Sequence, residues 1–243
     1  MTGLSLVAGH VAHGEVVSIQ NGKGHGFLFH YAQQCLMVLP QHVHGRRPSL
    51  TFSGRSVQFS GQASVLYQHI DELDLSLAQV TQIGGDNCGP AWFDLVATRG
   101  QTLPDQVTLR RVEGQGVSTR TPMHVNEQGP TRFRAKVFSA FSANGIYQGT
   151  SGATAFAGTV PIGMAIEAPR ADTADFLRYD RIVEGIARVA GLPMEKPSGS
   201  TVYSEFEPSA GMVRHADEGP AAVYTPDQPT FAPVLQLRKG PTE

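Results

Sequence analysis

The sequence predicts an all-β fold of two units, closed by an α-helix and followed by a disordered tail. Two observations set the class. Short runs rich in Val, Leu, Phe and Thr recur to about residue 170, each closed by Gly, Pro or Asn. Over the same range no apolar repeat keeps the 3.6-residue period of a helix, so barrels or a sandwich are expected. A third observation, the poor strand pattern and four glycines of residues 84–105, places a junction between the two units.

Taken in order, GEVVSIQ (14–20), GFLFHY (26–31), CLMVL (35–39), SVQFSG (56–61) and QVTLRRV (106–112) read as strands. YQGTSGATAF (147–156) reads as a tight loop running into a buried strand that starts at Ala153. The segment 172–191 reads as a helix, with Phe176, Tyr179, Val183, Ile186 and Ala190 on one stripe. Asp172 or Thr173 would cap its start, and Gly191 and Pro193 would stop it. Beyond it, residues 193–243 hold eight of the chain's 16 prolines and seven acidic against four basic side chains, a composition that reads as disorder or linker. The expected organisation is a first β unit over 1–90, a second with the terminal helix over 91–192, and a tail over 193–243.

The formal net charge of the 243 residues is −2, and no block of like charges occurs, so a nucleic-acid or anionic-membrane footprint is excluded. No apolar run is long enough to span a bilayer, and the start of the chain, its apolar run broken by Gly9 and His10, does not read as a signal peptide. Cys35 and Cys88 form neither a disulfide framework nor a metal knuckle. A single bridge between them is left open, a reducing compartment is favoured, and Cys35, inside an apolar run, is expected in the core.

Ser151, between Gly149 and Gly152, raises the possibility of an acyl-forming nucleophile. A serine hydroxyl needs a base to take its proton, and the base needs a carboxylate to fix its tautomer. The apolar run CLMVLPQHVHG would set His42 at a strand end, and DELDLSLAQV would set Asp74 at the edge of a buried strand. In this order, His, Asp, Ser, the chain resembles the chymotrypsin-like serine proteases. LPQHV is similar to their histidine segment, Asp74-Leu75-Ser76-Leu77 to their Asp-Ile/Leu-Ala-Leu, and Gly149-Thr150-Ser151-Gly152-Ala153 to their Gly-Asp-Ser-Gly-Gly. GHGFLF (24–29) and VPIGMAIEA (160–168) resemble two further strands of that family. Spacings of 32 residues from His42 to Asp74 and 77 from Asp74 to Ser151 fit a compact member with short loops, closer to viral and bacterial forms than to digestive ones. The acidic tail, with no signal-like start to the chain, resembles the sobemovirus-like polyprotein proteases.

The resemblance implies two packed antiparallel six-stranded barrels, the first carrying His42 and Asp74 and the second Ser151. It implies a serine endopeptidase in which His42 is general base, Asp74 orients it, Ser151 attacks the carbonyl, and the N–H groups of Gly149 and Ser151 form the oxyanion hole. It also implies a polypeptide substrate, its own polyprotein included, and an intracellular setting such as a host cytoplasm. The substrate pocket would be formed by Asn144, Gly145, Gly163, Met164 and Ala165. With no charge there, an uncharged, small or medium apolar residue is expected before the cut bond. Thr150 replaces the family's aspartate, so activation by a freed N-terminus is not open to this chain.

No cofactor and no metal are expected. His44 would share a strand face with His42 as half a metal site, but the remaining ligands are missing. Asp71 and Glu72, possible substitutes for Asp74, read as solvated turn residues. GKGHG lacks the Lys-Ser/Thr of a phosphate loop. The rival to an endopeptidase is a catalytically silent double barrel used for binding or as a scaffold. An α/β-hydrolase needs alternating helices and the order Ser, Asp, His, and has neither here.

Overall fold

The computed structural model describes residues 15–20, 22–54, 60–83, 88–113 and 116–196. The first barrel comprises β1 (Glu15–Ile19), β2 (Gly24–Tyr31), β3 (Gln34–Leu39), β4 (Ser49–Ser53), β5 (Ser60–Tyr67) and β6 (Ser76–Ile83). The second comprises β7 (Gln106–Val112), β8 (Ser118–Gln128), β9 (Arg132–Val137), β10 (Thr154–Ala157), β11 (Val160–Arg170) and β12 (Thr173–Arg178). Each closes in the same antiparallel order, β1-β2-β3-β6-β5-β4 and β7-β8-β9-β12-β11-β10. Short helices α1 (Gln41–His44) and α2 (Trp92–Val96) and a longer α3 (Tyr179–Ala190) complete the body. This is the chymotrypsin-like double barrel. None of the described helices is long and apolar enough to cross a membrane.

The runs that read most plainly as strands are those with both faces buried. Leu28, Met37 and Leu39 point into the first barrel with Val17, Ile19 and Phe52. Their neighbours Phe27, Phe29, Leu36 and Val38 point out, into a layer shared with Phe156, Met164, Leu177 and the apolar face of α3. Because alternate residues fill alternate cores, the sequence shows a continuous apolar run rather than a period of two. The shared layer fixes the two barrels against each other, and the seam between them is where the candidate site lies.

Three expectations are corrected. The helix of 172–191 is a helix only from Tyr179: Thr173–Arg178 is β12, paired with β9 from Thr173↔Lys136 to Leu177↔Arg132. Phe176 is buried by a strand of the second barrel, so Asp172 and Thr173 cap nothing, although Gly191 ends α3 in the left-handed region, φ 66°. Second, Cys35 is not an isolated core thiol: Cys35 and Cys88 form a disulfide. Closing 53 residues, that bridge removes freedom from the unfolded chain worth on the order of 4 kcal/mol in the loop-entropy description. Third, residues 193–196 remain on the body, the Trp92 Nε1–H donating to Pro193 O at 2.7 Å and Met194 packing on the shared core. The rest of the expected tail, 197–243, and most of the expected strand 56–61 lie outside the described residues.

Candidate active site

His42 does not sit at the end of a strand. β3 stops at Leu39, Pro40 turns the chain, and one helical turn, α1, carries the histidine, with Val43 N–H donating to Pro40 O (3.2 Å) and Gly45 N–H to Gln41 O (2.9 Å). The two-residue spacing that would set His42 and His44 on one face is therefore lost. His42 faces outward, while His44 is buried with its ring 2.8 Å from Ser76 Oγ, away from any shared metal site with His42.

Asp74 grips α1 at three points. Its carbonyl accepts from Gln41 N–H (3.2 Å), its Oδ1 from His42 N–H (3.0 Å), and its Oδ2 forms a short hydrogen bond with His42 Nδ1. The backbone contacts fix where the turn lies, and the ring contact leaves Nε2 as the free nitrogen. The hydrogen bond to Asp74 raises the imidazole above its ordinary 6.5, against the opposing effect of burial. Burial would raise the Asp74 carboxyl, but its hydrogen bonds from His42 outweigh this and hold it below the ordinary carboxylate value. Asp71 is turned elsewhere, its Oδ1 2.8 Å from Arg188 Nη1 on α3, and so is not a rival partner for His42.

Ser151 is bolted to both barrels through its backbone. Its carbonyl accepts from His25 N–H on β2 (2.7 Å), and the next amide, Gly152 N–H, donates to Ala165 O on β11 (2.7 Å). Such close approach demands glycine beside it. Gly149 (φ +100°) and Gly152 (φ +84°) lie in the left-handed region, and a β-carbon would come within 2.5 Å of Gly22 O at the first and 1.9 Å of His25 O at the second. Thr150, where the family has aspartate, is buried and closes the turn on itself: its N–H donates to Tyr147 O (3.0 Å), and Tyr147 N–H donates to its Oγ1 (3.3 Å).

His42, Gly149 and Ser151 line one open cleft of about 1110 Å³ at the seam. The remaining candidates fall differently. Gly163 faces the interior of the second barrel, where a β-carbon would strike the Phe133 ring at 2.4 Å. Met164 is fully buried in the core between the barrels, and both the N–H and the carbonyl of Ala165 are engaged by the loop that carries Ser151, through Ala153 O and Gly152 N–H. Gly145 lies behind the cleft with its carbonyl bonded to Arg111, and Asn144 ends the 3-10 segment Ser139–Asn144. The cleft takes instead the later part of the same strand, Ile166 to Arg170, and Ala171 after it. An irregularity in the β11–β12 register between Ala165 and Glu167 re-aims the chain there. Ile146, Tyr147, Gln148, Gln20, Gly22, Lys23 and Val43 complete the lining. The GKGHG hairpin is thus a wall of the cleft, a role that no local pattern in it announces.

Next to Ser151 in the fold, His25 is buried with its ring 3.0 Å from Val112 O, and burial pushes the imidazole down to about 4 from 6.5, the Arg111 charge adding to the effect. A folded value below the unfolded one means the unfolded chain takes the proton first as the pH falls. Stability from this group is full above about 6.5 and lost between about 6.5 and 4, a change of roughly 3 kcal/mol. Unfolding free energies of the wild type and His25→Gln from urea titrations, compared between about pH 7 and pH 4, are expected to diverge by that amount. The lowered His44 and raised His42 are present in both proteins and cancel. Parallel losses would refute a neutral, buried His25.

No protein-family model matches the chain, and no curated protein matches it. Several solved structures do, at 13–16% identity. The chain is similar to the MamO protease domain from Magnetospirillum magneticum (16% identity, 72% of this chain and 97% of that one, TM-score 0.53). It is similar to Deg5 (14%, 75% and 91%, 0.54) and to a scabies mite inactivated protease paralogue (14%, 76% and 94%, 0.52). At this identity the likeness establishes the double-barrel fold.

Proposed function

We propose that the protein is a serine endopeptidase. The observation that carries this reading is the pair of hydrogen bonds by which Asp74 holds both the backbone and the ring of His42, on the cleft that Ser151 also lines. His42 Nε2 takes the proton of the Ser151 hydroxyl as its oxygen attacks the peptide carbonyl, and returns it to the leaving amine. Asp74 stabilises the imidazolium formed between those steps, and the Gly149 and Ser151 N–H groups receive the developing oxyanion. Water then attacks the acyl-enzyme by the reverse of the same proton transfers.

A polypeptide is the substrate supported by a long open cleft. Its lining mixes the apolar Ile146, Ile166, Ala168, Pro169 and Ala171 with the charged Lys23, Glu167 and Arg170, so the preference for an uncharged, small or medium apolar side chain before the cut bond rests on the sequence resemblance and not on this lining. The polyprotein-processing role rests on the resemblance to compact viral members, on Thr150 in place of the activating aspartate and on the acidic composition of residues 193–243. For the setting, the Cys35–Cys88 bridge favours an oxidising compartment over the reducing one expected from the cysteine count. The silent-barrel alternative draws on the inactivated paralogue among the similar structures. Against it stand His42 and Ser151 on one cleft, with Asp74 hydrogen-bonded to His42.

The test is labelling by a fluorophosphonate as a function of pH. Because the base works as neutral imidazole and Asp74 raises its pKa, the rate of labelling at Ser151 is expected to climb with an apparent pKa above 6.5. Asp74→Asn should bring the midpoint down and slow the reaction by about 10⁴-fold. Absence of label on Ser151 at any pH would favour the silent barrel.

A further inference from the structure

Arg111, on β7, is among the most buried side chains of the molecule at 1% exposure. A guanidinium is removed from water only at large cost unless its hydrogen bonds are replaced, so its partners show what the burial is for. Its Nη1 donates to Gly145 O at 2.9 Å and its Nη2 to Thr121 Oγ1 on β8 at 3.2 Å, with Glu113 Oε1 3.9 Å away. The Tyr147 ring stacks on it, 4.7 Å from Cζ to the ring centroid. One cation therefore joins the wall of the second barrel to both ends of the tripeptide Gly145–Tyr147.

That tripeptide leads into the nucleophile loop. Ile146 N–H donates to Ala171 O at 2.6 Å, across the cleft lining, and Tyr147 exchanges two hydrogen bonds with Thr150. Fixing residues 145 and 147 thus fixes the turn that aims the N–H groups of Gly149 and Ser151. Thr150 cannot form the ion pair by which related enzymes lock this loop, and the buried charge here comes from the strand behind it instead.

We propose that Arg111 is a positioning residue, a built-in cationic anchor that holds the loop from Gly145 to Ser151 in its oxyanion-binding conformation without any processing of the chain. The inference rests on the endopeptidase reading for its catalytic consequence, but the loop-ordering role stands on the geometry alone. It acts through the loop and touches no reacting atom.

Two readouts on Arg111→Met and Arg111→Lys separate these parts. The first is amide hydrogen exchange, which needs no turnover. The amides of Ile146, Thr150 and Gly152 are expected to lose protection by about tenfold or more in Arg111→Met, while those of the first barrel keep theirs. The second is kinetic: kcat falls by ~10²–10³ with KM within a few-fold, the signature of a lost oxyanion hole. Affinity for a peptide boronate, which uses the hole, falls in parallel, while affinity for a cleaved peptide product does not. Arg111→Lys keeps the charge but loses the fork and the stacking, and falls between the two; it also serves where the methionine variant fails to fold. Unchanged exchange at the three amides overturns the anchor whatever the activity. A wild type that neither turns over substrate nor takes the fluorophosphonate sinks the endopeptidase reading, and the exchange result still decides the anchor.

Discussion

Ser151→Ala is expected to lower peptidase turnover by on the order of 10⁶-fold while the thermal midpoint moves by no more than a few degrees. The two effects separate because the structure uses different atoms of Ser151 for each. The carbonyl carries the bond from His25 across the seam, and alanine keeps it. The residue lines the cleft, and on the proposed reading its hydroxyl serves the chemistry. His42→Ala should cost about as much, and the double variant little more than either alone, since nucleophile and base act as one unit. Steady-state kinetics on a peptide ester, with calorimetry of the same preparations, checks both. Turnover that survives in Ser151→Ala would remove the assignment outright.

Gly152→Ala is expected to damage the fold as well as the site. A β-carbon at that residue falls 1.9 Å from His25 O and 3.0 Å from Pro40 Cδ, and φ is +84°. The conformation alone disfavours alanine by roughly 1–2 kcal/mol. The collision is with backbone, so the nucleophile loop must move off β2 and the bond from His25 N–H to Ser151 O is lost. A total of about 4–5 kcal/mol is expected, near the upper end for a single substitution, or roughly 10–15 °C in thermal midpoint. Gly158→Ala is the control: φ is +61° but no atom lies within 4 Å of the added carbon, so only the conformational part remains. Equal midpoints for the two variants would show that the seam is not packed as described.

What could be read in the chain beforehand follows from how far each feature depends on distant residues. Residues 27–29 and 36–39 announce strands because both of their faces are buried, in different cores. β9 carries a different signal: Phe133, Ala135 and Val137 point inward and alternate with Arg132, Arg134 and Lys136, the period of two of a strand buried on one face, and no continuous apolar run marks it. β12 was obscured by coincidence, since Phe176 and Tyr179 stand three apart as on a helix although a strand ends between them. His42, Asp74 and Ser151 stand out as candidates because each sits in a short run with its own local grammar. Arg111 has none. Its meaning lies in Gly145, 34 residues away, and in Tyr147, and only the closed barrel brings them together. The same holds for Ile166 to Ala171, which reach the cleft through an irregularity in pairing that a run of apolar letters does not encode.

If the proposed peptidase activity holds, the Cys35–Cys88 bridge has a consequence for the lifetime of the chain. The crosslink spans α1 and the strands β4 to β6, hence the whole stretch that carries His42 and Asp74. A single internal scission anywhere between residues 35 and 88 leaves two pieces still covalently joined. The strand pairs of the first barrel then hold the new ends in place, and loss of the first barrel requires a second scission or a reductant. Self-digestion in that region would accumulate a nicked two-chain form that keeps its base and its carboxylate together, rather than free fragments.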